Sequence, residues 1–112
     1  MKLINLTPHR IDVFSETKET HIEPSGTIAR VKENRKVLQH LDDIDADITE
    51  MQYSEVTNLP EPQPETNYIV SPLVLEHSPG RDDLLVPENL VRDGDGRIIG
   101  CRSFAKRILH CG

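Results

Sequence analysis

A chain of 112 residues has the size of one domain, and such a domain buries roughly two-thirds of the surface that its unfolded chain exposes. The formal net charge of −6 at pH 7 argues against general nucleic-acid binding, because a phosphate backbone is held chiefly by concentrated Lys and Arg. Aromatic residues make up only 4% of the chain, so Ile, Val and Leu must build most of the core. We expect a single, mostly β domain over residues 1–112.

No segment of the sequence predicts export or insertion into a membrane. The chain enters a polar turn at Thr7-Pro8, too early for the apolar stretch of a secretory signal. No run approaches the roughly 18 apolar residues of a transmembrane helix. Cys101 and Cys111 are too few for a disulfide framework, and a reducing compartment keeps them as thiols. We therefore expect a cytosolic protein without membrane contact.

The first third of the chain predicts short strands separated by turns. Residues 2–6 and 10–14 are apolar-rich runs on either side of a Thr-Pro-His turn, which is typical of an opening pair of strands. After the turn signal at residues 24–26, residues 27–31 alternate with period two and predict another strand. Residues 36–41 match both strand and helix spacing, and we favour a strand.

The middle of the chain predicts a return strand and a stiff connector. The acidic residues 43–47 favour a turn, and the apolar positions between Ile48 and Val56 predict a strand. Three prolines within residues 60–64 remove backbone donors and fix an extended path. Too few residues follow for a second core, so this connector lies inside the domain.

A buried strand and a short helix are predicted next. Residues 68–70 form a β-rich apolar run, and Ser71-Pro72 has the form of a helix N-cap followed by proline at the first helical position. The short helix is expected near residues 71–78, before Pro79-Gly80.

The last part of the chain predicts further short strands. Residues 84–86 and 90–91 are strand candidates interrupted by Pro87, which places at least one of them at a sheet edge. Residues 93–96 are a hairpin signal, with residues 97–101 as the return strand. From Ser103 the chain is expected either to form a helix or to have no regular structure. The fold class is therefore α+β and mostly β: a small antiparallel or barrel-like sheet with one short helix and, optionally, a second at the C-terminus.

Several motifs in a fixed order carry a resemblance to known proteins. They are Ile4-Asn5-Leu6-Thr7-Pro8-His9-Arg10-Ile11, Pro24-Ser25-Gly26-Thr27-Ile28-Ala29-Arg30, Tyr68-Ile69-Val70-Ser71, Arg81-Asp82-Asp83, Val91-Arg92-Asp93 and Ile98-Ile99-Gly100-Cys101. Together they resemble a family of short proteins from phages and prophages, over nearly the whole chain. The resemblance implies a phage context, with the host-cell cytoplasm as the location, and supplies no catalytic residues.

Metal sites and cofactors are not predicted. Aligning Gly96 with the sixth position of an EF-hand loop puts Val91 at the first ligand position and Arg102 at the twelfth, where an acid is required. The histidines and cysteines show none of the short paired spacings of zinc ligands. Residues 93–96 are therefore interpreted as a hairpin turn.

No catalytic constellation is predicted either. Ser71 or Cys101 as a nucleophile would need His9 or His77 as a base, and nothing in the sequence places them together. Ser71 already has a sufficient role as a helix cap.

Two Arg-Asp steps, Arg81-Asp82 and Arg92-Asp93, lie about ten residues apart and are the strongest candidate for a binding site. One interpretation is an internal ion-pair network that ties the loop after the helix to the hairpin. In the other interpretation, the Arg side chains contact a phosphate or carboxylate of a ligand, and the Asp side chains contact its hydroxyl or amino groups. Arg30 and His9, which both lie beside turns, complete that site. The predicted ligand-binding residues are His9, Arg30, Arg81, Asp82, Arg92 and Asp93.

Three functions remain open on the sequence. The first is a non-enzymatic phage accessory protein that binds a host protein or a nucleotide-like signal of an antiviral defence system; for a ligand with several phosphates, binding should be lost in Arg81→Ala and Arg92→Ala. The second is a virion structural or assembly role. The third is a small hydrolase or transferase using His9 or Cys101.

Self-association is also expected. Short strands with a proline-marked edge expose backbone donors and acceptors that a neighbour can cover, and symmetric homo-oligomers are the usual outcome. The acidic residues 42–50 and the basic residues 97–107 offer complementary surfaces, so the association should weaken as salt rises. We predict a dimer or larger assembly, in which a site near Arg81 and Arg92 is shared between subunits.

Overall fold

The computed structural model describes residues 1–107, which form eight strands and one short helix. In chain order these are β1 (Lys2–Asn5), β2 (Ile11–Phe14), β3 (Glu19–Ile22), β4 (Arg30–Leu41), β5 (Ala46–Thr57), β6 (Thr66–Ile69), α1 (Pro72–Glu76), β7 (Leu84–Arg92) and β8 (Ile98–Ala105). The predicted fold class, mostly β with one short helix, is confirmed. Within the described residues no helix is long and apolar enough to span a membrane.

Six strands form one curled sheet in the order β1-β6-β7-β8-β2-β3. The pairs β1–β6, β6–β7 and β2–β8 are parallel, and β7–β8 and β2–β3 are antiparallel. The two ends of the sheet meet where Asn5 bridges Pro24, just beyond β3, and the Ala29 N–H donates to the Leu6 carbonyl at 3.1 Å. The sheet is therefore a nearly closed barrel.

The core lies inside this barrel and beneath the helix. Its buried members are Leu6, Ala29, Tyr68, Val70, Val74, Leu84 and Val86. Residues 68–70, predicted as a buried strand, are at most 1% exposed. Ser71 caps α1 as predicted, because its side chain accepts a hydrogen bond from the Val74 N–H at 3.3 Å.

Strands β4 and β5 pair only with each other and form a long antiparallel hairpin, called the ribbon below. Each strand has 12 residues, and nearly all of them are exposed. Residues 42–45 make the turn at its tip, so the predicted turn of residues 43–47 is present but begins and ends earlier, because residues 46 and 47 pair in β5. The ribbon explains the elongated shape of the molecule, 56 × 39 × 35 Å along its principal axes.

Several element bounds differ from the prediction, and tertiary pairing explains most of the differences. β3 was missed because its residues are polar; it forms by pairing with β2. The strand predicted from residue 27 begins at Arg30, because Ala29 is used to close the barrel. Residues 103–105 continue β8 instead of turning helical, because they pair with β7. The suggested C-terminal helix otherwise falls on residues 108–112, outside the described residues.

The two strand candidates around Pro87 are one continuous strand, β7. Its first residues pair with β6 and the remainder pairs with β8. Along β7 the backbone N–H groups point alternately to the two neighbouring strands, and the Pro87 nitrogen points toward β6. Because β6 ends at Ile69, no strand lies opposite this nitrogen, and the missing N–H costs no hydrogen bond of the sheet. Pro87 thus lies at a local edge within a strand that has neighbours on both sides.

Candidate functional site

A groove of about 330 Å³ opens where β2, β7 and β8 meet. Its lining is mainly apolar, with polar side chains along one rim: His9, Arg10, Ile11, Asp12, Pro87, Leu90, Ile98, Ile99, Gly100 and Cys101. Leu90, Ile98 and Ile99 are each 44–54% exposed. An apolar floor beside a few polar groups is the general form of a small-molecule site.

Gly100 shapes the floor by letting β2 approach β8 closely. The two strands pair in parallel through Val13 and Cys101. A Cβ atom at Gly100 would lie 2.6 Å from the Asp12 carbonyl oxygen and would overlap the Phe14 ring. Only glycine therefore allows this junction, which joins the N-terminal and C-terminal halves of the barrel.

Asn5 fixes the turn that carries the polar rim. Its side chain is 1% exposed, and its amide nitrogen donates to the carbonyls of His9 at 2.8 Å and Ile22 at 3.1 Å. Its amide oxygen accepts from the backbone N–H and the hydroxyl of Thr7, at 2.9 and 2.6 Å. One buried side chain thus holds the turn before β2 and positions the start of the rim.

The rim carries a charged cluster centred on Asp12. Arg10 donates to this carboxylate through Nε at 2.8 Å and through Nη2 at 3.2 Å, and His21 Nδ1 lies 2.7 Å from Oδ1. The other ring nitrogen of His21 lies 3.1 Å from Glu19. The hydrogen bond to His21, followed by that to Arg10, lowers the pKa of Asp12 below its ordinary value of 3.8.

The cluster predicts an acid-dependent loss of stability. Because the folded pKa of Asp12 is lowered, its carboxylate stabilises the fold above the ordinary pKa, and this contribution disappears as the pH falls through the folded pKa. We expect Asp12→Asn to be less thermostable than wild type at neutral pH, with the difference closing as the pH falls from the ordinary pKa through the lowered folded pKa of Asp12. Thermal unfolding across this range checks it. Glu16→Gln, at an exposed acid of the next turn, is the control; a difference that persists in acid would contradict the role of charge.

Cys101 and His9 line the same groove, although the sequence alone did not place them together. The Cys101 side chain is 1% exposed, and burial raises the pKa of its thiol. A protonated thiol is a poor nucleophile, so the geometry gives this cysteine a packing role in the floor.

Arg81 is engaged inside the protein. Its guanidinium forms a bidentate pair with Asp83, both bonds at 2.9 Å, and also donates to the Pro60 carbonyl at 2.8 Å. Both side chains of this pair are less than 20% exposed. The hydrogen bond to Asp83 raises the pKa of Arg81. These internal contacts tie the connector of residues 60–64 to the start of β7, and they do not reach the hairpin of residues 93–96.

The other predicted site residues lie in separate places. Asp82 pairs with Lys106 at 3.3 Å and with Arg107, and the Arg107 hydrogen bond is the main cause of its lowered pKa. Arg92 donates to the Gly96 carbonyl at 2.9 Å, and Asp93 accepts from two backbone N–H groups of the same hairpin turn. Arg30 begins β4, at the root of the ribbon.

The two Arg-Asp steps therefore do not meet within one chain. Arg81 precedes β7 and Arg92 ends it, and nine strand residues span up to roughly 27 Å at about 3.3 Å per residue. Of the six predicted residues, only His9 lines the groove. Arg10 and Asp12, which the sequence reading did not select, supply the rest of the polar rim, and their position beside the Thr-Pro-His turn was the available signal.

Comparison of the chain with protein families, with curated proteins and with solved structures found no match.

Proposed function

We propose that this protein is a phage or prophage accessory protein that acts in the host-cell cytoplasm by binding, and that its ligand is a nucleotide-like signal of an antiviral defence system. The groove between β2, β7 and β8 is the proposed site. The supporting observation is the combination, in one concavity, of an aliphatic floor with the guanidinium of Arg10 at the rim.

The groove has the chemistry that a base and a phosphate require. Aliphatic side chains such as Leu90 and Ile99 suit the faces of a planar base. Arg10 uses Nε and Nη2 for Asp12, while its Nη1 makes no hydrogen bond within residues 1–107, so a phosphate can be contacted there without breaking the pair.

The size of the groove limits how such a ligand lies. Its volume is near the lower end of ligand pockets, which hold roughly 300–1,000 Å³. That space fits a base and its sugar, so the phosphates of a larger nucleotide would extend along the rim, past His9 and Arg10.

Calorimetry against cyclic nucleotides and ADP-ribose derivatives tests this proposal. We expect one of them to bind, with Arg10→Ala weakening the affinity at least about tenfold, because a charge-assisted hydrogen bond is worth roughly 1.5–3 kcal/mol. Arg97→Ala removes the same charge outside the groove lining and should bind like wild type.

The remaining outcomes discriminate between sites and functions. Loss of binding in Arg81→Ala and Arg92→Ala, with Arg10→Ala unaffected, would place the ligand at the ends of β7 instead. No heat from any compound in the panel would refute the nucleotide version and favour a host protein as the partner. Turnover of any compound, abolished in Cys101→Ser or His9→Gln, would show the hydrolase or transferase that the sequence left open.

A second candidate is a structural or assembly role in the virion, favoured by the ribbon. A two-stranded arm that stands away from its barrel is suited to reaching a neighbouring subunit. A virion component must be present in mass spectra of purified particles, and consistent absence from them would exclude this role.

A further inference from the structure

His21 has a carboxylate at each of its two ring nitrogens. It lies directly opposite Asp12 in the pairing of β2 with β3, and its Nδ1 is 2.7 Å from Asp12 Oδ1. Its Nε2 lies 3.1 Å from an oxygen of Glu19, two residues earlier on the same strand. A neutral imidazole has one donor and one acceptor nitrogen, whereas the protonated ring has two donors, and an ionised carboxylate accepts. The arrangement therefore fits a protonated ring that donates from both nitrogens.

The contact with Asp12 connects His21 to the groove. Asp12 Oδ1 faces His21 Nδ1 and also accepts a hydrogen bond from Arg10 Nε at 2.8 Å. The Asp12 side chain is 18% exposed, against 41% for His21 and 50% for Arg10, so it is the most enclosed of the three. Arg10 and Asp12 line the groove, whereas His21 does not. His21 therefore acts on the groove through the carboxylate that it shares with Arg10.

The proton on His21 sets the charge of this part of the rim. The hydrogen bond to Asp12 raises the pKa of Arg10, and the weaker attractions of Glu23 and Glu19 add to it. With a neutral His21, the Arg10 guanidinium is thus one cation among three carboxylates, and a proton on the ring adds a second cation. Histidine is the side chain whose charge ordinarily changes between pH 5 and 8, so the rim becomes less negative as the pH falls through this range.

We propose that His21 is a positioning residue of the groove, and that its protonation strengthens the binding of an anionic ligand at Arg10. The inference rests on the proposed function, because that function makes Arg10 the contact for phosphate. A protonated ring fixes the orientation of the shared carboxylate, and with it that of the guanidinium. It also offsets negative charge that an incoming phosphate meets. Both effects raise the affinity as the pH falls.

Two other histidines provide the comparison. His40, near the tip of the ribbon, repeats the contacts of His21: it lies directly opposite Asp47, with Nδ1 2.7 Å from Asp47 Oδ1 and Nε2 3.3 Å from Asp45. None of these three residues lines the groove. His9 does line it and is the alternative source of a pH effect. His40 is therefore a matched control, and His9 is the competing explanation.

Nuclear magnetic resonance of the ring nitrogens tests the geometry without a ligand, with the His21 signals identified by their absence in His21→Asn. At pH 5.5 both nitrogens of His21 should carry a proton. At pH 8 the proton should remain on Nδ1, because the contact with Asp12 is the shorter one and the Glu19 side chain is 54% exposed and can turn into water. A ring that keeps its proton on Nε2 instead would overturn the proposal, since it could not donate to Asp12.

Calorimetry at two pH values tests the effect on binding. ADP-ribose and a cyclic dinucleotide are suitable probes, because their phosphates lack the second ionisation near pH 6 that a phosphate monoester has, and so their charge is constant. We expect the affinity of the wild type for a probe that binds to fall about three- to tenfold between pH 5.5 and pH 8, the effect of one charge near an exposed site.

His21→Asn separates the charge from the hydrogen bond. Its amide nitrogen stands about where Nδ1 does, so donation to Asp12 is kept and the charge is lost. Its affinity should stay near the wild-type value for pH 8 at both pH values. His21→Lys is charged throughout this range and should bind at pH 8 about as well as the wild type does at pH 5.5. His40→Asn should keep the wild-type dependence on pH. Circular dichroism confirms that each variant is folded.

A wild-type affinity that is equal at both pH values would refute the role of His21 and leave the proposed function intact. A pH dependence that persists in His21→Asn and disappears in His9→Asn would assign the effect to His9, which also overturns the proposal. No heat from either probe at either pH would refute anion binding at Arg10, and with it both this inference and the nucleotide version of the proposed function.

Discussion

Replacement of Gly100 by alanine is expected to destabilise the protein by about 3 kcal/mol or more. The added Cβ would lie 2.6 Å from the Asp12 carbonyl oxygen and would also overlap the Phe14 ring. The ring can rotate away, but the carbonyl belongs to the backbone of β2 and cannot move without breaking the pairing of Val13 with Cys101. The cost is therefore higher than for a clash between side chains.

Thermal unfolding gives the measurement. For a chain of this length we expect the melting temperature to fall by roughly 12 °C or more. Gly94→Ala is a matched control, because no atom lies within 4 Å of a Cβ there, and its melting temperature should change little. Adding Phe14→Leu should restore only part of the lost stability. If Phe14→Leu restored the full melting temperature, the clash with the Phe14 ring, and not the clash with the β2 backbone, would account for the destabilisation by Gly100→Ala.

Replacement of Asn5 by leucine should have a similarly large effect for a different reason. The two side chains have the same number and branching of heavy atoms, so no cavity is left, but four hydrogen bonds are lost. The Ile22 carbonyl and the Thr7 backbone N–H each lose a hydrogen bond in a part-buried site, while the His9 carbonyl keeps the Thr7 hydroxyl at 3.1 Å, and a buried group left without its partner costs about 1–3 kcal/mol. We expect a loss of about 3 kcal/mol in the free energy of unfolding, measured by denaturant titration.

The same leucine substitution at Asn34 provides the control for the Asn5 experiment. Asn34 is exposed on β4 of the ribbon, and its replacement should change the free energy of unfolding by less than about 0.5 kcal/mol. In Asn5→Leu the turn that carries His9 also loses its anchor. Ligand binding in the groove should therefore weaken even under conditions where the variant is fully folded, and unchanged affinity would show that the turn does not depend on Asn5.

Local chemistry in the sequence predicted much of the fold. Ser71-Pro72 marked the start of α1, the acidic residues after Leu41 marked the ribbon turn, and residues 93–96 marked the last hairpin. In each case the signal lies within a few neighbouring residues, where proline, glycine and capping side chains restrict the backbone directly. The residues 68–70 were equally clear, because a continuous β-rich apolar run fits few environments other than a core.

The candidate site depends on contacts between distant residues, and these could not be predicted. The groove exists because β2 lies beside β8, 88 residues later in the chain, and nothing near Val13 or Cys101 specifies that pairing. Asn5 was predicted only as part of the first strand, because its four hydrogen bonds form only when the sheet has closed. Arg81 and Asp83 are close in the sequence. Whether Arg81 is held inside the protein or can contact a ligand depends also on its hydrogen bond to the distant Pro60 carbonyl.

The order of strands in the barrel also determines when in folding it can form. The ribbon pairs adjacent parts of the chain through a four-residue turn, and such local hairpins form within about 1–10 μs. By contrast, β1 must find β6 more than 60 residues later, and β2 must find β8. Closing these long loops is slow because their entropy is lost before any contact compensates for it. During synthesis the barrel therefore cannot close until β8 has left the ribosome, whereas the β2–β3 hairpin and then the ribbon can adopt their native pairing earlier.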